Sequence, residues 1–87
     1  MIAFDPCEVA TLDDVVLSEK ERRKALLLLA QISRADSLVV AVKAGARAEG
    51  FVLGMETVGA LRPGDAERLY IFFETALEER LKTLARG

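Results

Sequence analysis

The sequence contains no histidine and no tryptophan, a single cysteine (Cys7) and two prolines (Pro6 and Pro63). Each scarcity removes a class of chemistry. Without histidine, no Ser–His or Cys–His arrangement can form within one chain, so the common route to an activated hydroxyl or thiol is missing. Lysine replaces histidine as a base only when it is desolvated beside a serine. Lys43 and Ser37 fall on different helical faces and do not meet that need. Cys7 stands between Asp5 and Glu8, whose charges oppose a thiolate. A lone cysteine makes no internal disulfide and, with no histidine to join it, no zinc site. The carboxylate pairs Asp13/Asp14 and Glu78/Glu79 are adjacent in sequence. On a helix such neighbours diverge by about 100°, so they do not converge on one atom. The expectation is a protein with no catalytic residue, no metal ligand and no cofactor.

An excess of one charge is also lacking. Twelve Lys and Arg stand against 14 Asp and Glu, for a net charge of −2 and a pI near 5.1. That balance provides no strong field to steer phosphates or anionic lipid. The acidic N-terminus has neither a basic n-region nor a long apolar core, and the longest apolar run, residues 25–30, is far too short to span a bilayer. These features predict a cytoplasmic protein with no membrane association. The Ala, Arg, Gly and Leu usage suits a bacterial or phage gene.

Apolar character is what the chain has in abundance. Hydrophobic residues make up 52% of 87 residues, and the mean hydropathy is +0.24 despite 30% charged residues. A chain of this length forms one domain and buries only roughly 60–65% of its unfolded surface. Much of the apolar surface therefore has no interior to enter, and large exposed patches mark interfaces. Self-association or a protein partner is expected.

The pattern predicts an all-α fold: an antiparallel three-helix bundle over about 18–33, 37–58 and 63–85, with residues 1–17 as an N-terminal arm. Within the arm, Asp5-Pro6-Cys7-Glu8 and Thr11-Leu12-Asp13-Asp14 each have the form of a short helical start; a short strand at its beginning is an alternative. Ser18-Glu19-Lys20-Glu21 is a capping box, and Glu19–Arg23 is placed to form an i,i+4 pair. The following Ala25–Ile32 segment is apolar almost all round, which predicts burial on more than one side. Asp36 or Ser37 would cap the second helix; one continuous helix over 18–58 is the rival. Helix two carries one stripe at Leu38, Ala41, Gly45, Ala48, Val52 and Met55 and another at Val40, Ala44, Phe51, Met55 and Val58, which predicts neighbours on both sides. Gly59 fits a left-handed position after that helix, with Leu61 supplying the accompanying apolar contact. Pro63 at the first and Asp65 at the third position would start helix three, with Gly64 a weakness in its first turn. That helix would place Ala66, Leu69, Phe73, Ala76, Leu77, Leu81 and Leu84 in the core and form a Glu78–Lys82 pair on its solvated side.

Two groups of candidate contact residues follow. Consecutive bulky residues on one helix cannot all face one core, so Leu26 and Leu29 of helix one and Ile71 and Phe72 of helix three are candidates for an oligomer or partner interface. Lys43, Arg47, Gly50 and Gly54 form a candidate polar contact face, because unexplained glycine inside a helix is costly. Gly50 and Gly54 have the GxxxG spacing, whose plainest meaning is close approach of another helix. The functional expectation is a small non-enzymatic interaction module, an adapter, accessory subunit or inhibitor that binds itself or another protein. The alternative is a helix-turn-helix DNA-binding regulator over residues 26–47, with Arg34, Lys43 and Arg47. Its recognition helix would begin Leu38-Val39-Val40-Ala41-Val42, which is apolar and suited to a core rather than to a DNA groove.

Overall fold

The computed structural model describes residues 12–86, apart from the Asp13 side chain. The expectations for Asp5-Pro6-Cys7-Glu8, for a strand near the start, and for the Asp13 carboxylate lie outside the described residues. Those residues form three helices and no strand: α1 at Glu19–Ser33, α2 at Leu38–Thr57 and α3 at Asp65–Ala85.

Local chemistry sets each boundary. Ser18 Oγ accepts the Glu21 N–H at 3.1 Å and Glu21 Oε1 accepts the Ser18 N–H at 2.9 Å, the reciprocal capping box the sequence predicts. After Ser33 the chain leaves the helix, and Ser37 caps α2 by accepting the Val40 N–H at 3.1 Å. The two helices are therefore separate, and Ser37 rather than Asp36 supplies the capping oxygen. At the far end of α2, Gly59 adopts φ +71°. Its N–H reaches Glu56 O at 3.1 Å, and the Ala60 N–H reaches Met55 O at 2.9 Å, which is the Schellman pairing.

The start of α3 differs from expectation. Helix three begins at Asp65, not at Pro63, because Arg62-Pro63-Gly64-Asp65 is a β-turn closed by Asp65 N–H to Arg62 O at 3.0 Å. Gly64 at φ +88°, ψ −19° has the left-handed geometry of the third residue of a type II turn, with proline before it. Gly64 is thus required by the turn rather than being a weak point of the helix.

The core is formed where the helices meet. Ala25, Leu28 and Ile32 of α1, Ala44, Ala48 and Val52 of α2, and Ala66, Leu69 and Phe73 of α3 pack into one buried cluster. Leu12, in a short 3-10 turn at Leu12–Asp14, and Val15 enter the same cluster. Leu29 and Phe72 pack against its margin. Helix one is thus buried on one side and not on several: Leu26 and Leu27 are half exposed. Of the expected α3 core face, Ala76, Leu77, Leu81 and Leu84 are only partly buried.

Long-range polar contacts also tie the elements together. The Asp65 side chain has no exposed surface, and its oxygens accept Arg62 Nε at 2.9 Å, Arg68 Nη1 at 3.0 Å and the Val16 N–H at 3.3 Å. Hydrogen bonding from Arg62 is the main reason its pKa lies below the ordinary aspartate value, outweighing the opposing effect of burial. At another point, Arg80 of α3 donates from Nε to Ala35 O at 2.8 Å, in the connection between α1 and α2. The i,i+4 pairs expected on the surface are replaced: among the described residues Lys82 pairs with Glu79 at 3.8 Å rather than with Glu78, and Glu19 and Arg23 are not joined.

Candidate functional site

Helix α2 buries Ala41, Ala44, Gly45, Ala48, Val52 and Met55. Counting about 100° per residue, these occupy one side of the helix. The opposite side carries Val39, Val42, Ala46, Gly50 and Leu53, all exposed, with Val39 at 64% and Leu53 at 57%. Their spacing of three and four residues keeps them on one stripe from the first turn of α2 to its last. An apolar stripe on the solvent side inverts the amphipathic pattern of a surface helix. It is the most anomalous surface of the fold, and none of the described residues covers it.

The glycines of α2 separate into two kinds. A Cβ on Gly45 would lie 2.8 Å from Leu77 Cδ2, so the absent side chain lets α3 approach. Gly50 and Gly54 have nothing within 4 Å of that position. Among the described residues the close helix approach suggested by their spacing is not made, although each costs roughly 0.5–1 kcal/mol relative to alanine in a helix interior. Gly50 lies within the apolar stripe and Gly54 at its margin.

Charge is sorted across the stripe. Lys43 and Arg47 lie along one edge, and Glu49 and Glu56 along the other. Glu56 accepts from the Tyr70 hydroxyl at 3.4 Å. Burial, reinforced by Glu56 and Glu49, raises the tyrosine pKa. Tyr70 and Glu49 also line a small cleft of about 160 Å³ between α2 and α3.

The residues singled out by sequence are not gathered into one place. Lys43, Arg47, Gly50 and Gly54 are all exposed and share a side of α2. Leu26 and Ile71 are exposed, but each points outward from its own helix, roughly 200° from the buried Leu28 and Leu69. Leu29 and Phe72 are packed against the core, and the Phe72 ring meets Phe73 edge-on at 5.4 Å between centroids. Both are only partly buried, so each packs on the core margin with part of its side chain left at the surface. The first turn of α2 corrects a further expectation: Leu38, Val39, Val40 and Val42 are all exposed, and only Ala41 of that run enters the core.

Sequence inspection missed Val39 and Leu53 as surface residues. The signal was present: once Ala41, Gly45, Ala48 and Val52 are taken as the core face, the residues opposite are apolar as well. No helix among the described residues is long and apolar enough to cross a membrane. Compared with family models, characterised proteins and solved structures, the chain shows no significant match.

Proposed function

We propose that this protein is a non-enzymatic protein–protein interaction module that associates with a second copy of itself through the outer stripe of α2. Within it the three helices form an antiparallel bundle. Val16, just before α1, contacts the first residue of α3; Ala35, just after α1, contacts Arg80 late in α3. Both contacts fit α1 and α3 running the same way, with α2 returning between them.

The observation that carries the reading is the stripe Val39, Val42, Ala46, Gly50 and Leu53, exposed along a helix of 20 residues. Burying such side chains contributes about 25 cal/mol per Å² of apolar area removed from water. The sorted charges favour an identical partner. Under a two-fold axis parallel to α2, the Lys43 and Arg47 edge of one copy faces the Glu49 and Glu56 edge of the other. An antiparallel pair would set like charges against each other. Gly50 then allows the two backbones to approach, which gives its missing side chain a purpose.

The exposed apolar start of α2 favours a protein partner over DNA, since a recognition helix presents polar and basic side chains to the groove. Light scattering of the eluting protein across a wide concentration range tests self-association. A dimer that Val39→Asp with Leu53→Asp converts to a folded monomer supports the reading; a native chain that stays monomeric at every concentration overturns it.

A further inference from the structure

A second feature lies on a different side of α2. Between the first half of α1 and the middle of α2 runs an open groove of about 740 Å³, lined by Lys20, Glu21, Arg23, Lys24, Leu27 and Phe51. Leu27 is half exposed, and Phe51 is partly buried with its inner side against the core. These two form an apolar floor. The rim is basic, although the chain as a whole is acidic. Three cations on the rim outnumber the single carboxylate of Glu21, whose Oε1 is held by the Ser18 N–H. Among the described residues, no carboxylate pairs with Lys20, Arg23 or Lys24.

We propose that this groove docks an acidic amphipathic helix of a partner protein, with apolar side chains on Leu27 and Phe51 and carboxylates towards Lys20, Arg23 and Lys24. The inference extends the interaction reading to a partner of stated chemistry, but it uses residues that the α2 stripe does not. A trough between two helices suits a third helix laid along it, whose anchors recur every three or four residues. On α1, Lys20, Arg23, Lys24 and Leu27 follow the same recurrence over two turns, so matching charges and apolar groups can be met in register. Charge complementarity sets the choice of partner and the encounter rate, while the apolar floor supplies contact area. A nucleic acid would also meet the basic rim. However, the floor offers one aliphatic side chain and one half-covered ring, a poor platform for stacking successive bases.

The test uses the full chain and a fluorescein-labelled peptide of about 18 residues, with leucine at helical i, i+3 and i+7 spacing and glutamate and glutamine elsewhere. Fluorescence anisotropy is expected to show binding that weakens as salt rises. The combined Lys20→Gln, Arg23→Gln, Lys24→Gln variant is expected to bind at least about tenfold more weakly. Leu27→Ser should also weaken binding, while circular dichroism shows both variants folded. Leu53→Asp, on the stripe, is expected to leave peptide affinity unchanged, so loss of self-association and loss of docking are separately visible. The proposal is overturned if the glutamate peptide does not bind, or if a lysine version binds as tightly. It is equally overturned if a labelled single-stranded oligonucleotide binds the groove more tightly than the peptide. Release of a self-dimer by the three glutamine substitutions would instead assign the groove to a second copy and would also overturn it.

Discussion

The buried carboxylate of Asp65 accepts the backbone N–H of Val16 at 3.3 Å, joining positions 49 residues apart. Arg62 and Arg68 cover the same carboxylate, and Arg62 Nη2 also donates to Asp14 O at 3.5 Å. The segment leading into α1 is thereby fastened to the start of α3, which helps hold Leu12 and Val15 in the core.

Removing that charge should be felt throughout the fold. Asp65→Asn leaves two arginines facing a neutral amide, and thermal unfolding should show a Tm lowered by at least about 10 °C. An unchanged Tm would mean that Asp65 is not a structural anchor.

The pH dependence has a definite sign. The folded pKa of Asp65 is lowered, chiefly by the Arg62 hydrogen bond. Its stabilising contribution is therefore fully present above the ordinary aspartate pKa of about 3.9 and is lost as pH falls through the lower folded value. Urea midpoints measured from neutral pH into acid should fall, and the fall should be shallower in Asp65→Asn. Equal slopes in the two proteins would contradict this.

Alanine at Gly45 and at Gly50 should act differently. At Gly50 the added methyl meets open space, so monomer stability should rise by about 0.5–1 kcal/mol. At Gly45 the same propensity gain is opposed by the close contact with Leu77, leaving a net change near zero or unfavourable. Denaturant unfolding at low protein concentration measures both. The Gly50 variant should nevertheless dimerise more weakly than the native chain.

Arg80 fixes the connection between α1 and α2 through Ala35 O. Arg80→Ala should cost about 1 kcal/mol in urea unfolding, since a partly exposed charged hydrogen bond contributes modestly. Hydrogen exchange should accelerate locally at residues 34–37. Protection unchanged there would contradict the assignment.

The adjacent aromatic and aliphatic positions of α3 also separate. Ile71→Ala should change stability by less than about 0.5 kcal/mol, as expected of an exposed side chain. Phe72→Ala should cost about 2 kcal/mol, because its ring packs on Phe73 and the core margin. Comparable losses at both positions would contradict their burial.

Much of the fold was legible because its signals are local. Ser18 with Glu21, Ser37 and Gly59 mark helix ends through short-range hydrogen bonds that sequence spacing specifies. Pro63-Gly64 was misread as a helix start, although a Pro-Gly pair also suits the centre of a type II turn; the left-handed Gly64 ends that turn before Asp65 begins the helix. Asp65 and Arg80 were hidden because their partners, Val16 and Ala35, are backbone groups distant in sequence. Periodicity showed that α2 was apolar around most of its circumference. It could not show which apolar side the neighbours would leave uncovered. With α1 and α3 in place, that side is Val39, Val42 and Leu53.

Disulfide trapping at Val39 tests the central claim most directly. In a Cys7→Ser background, Val39→Cys places one thiol at the start of the α2 stripe. The parallel two-fold pairing predicts a disulfide-linked dimer on a non-reducing gel after mild oxidation, with no such band from Glu78→Cys on α3. A monomer band alone from Val39→Cys, or equal cross-linking from Glu78→Cys, would contradict self-association through the outer face of α2.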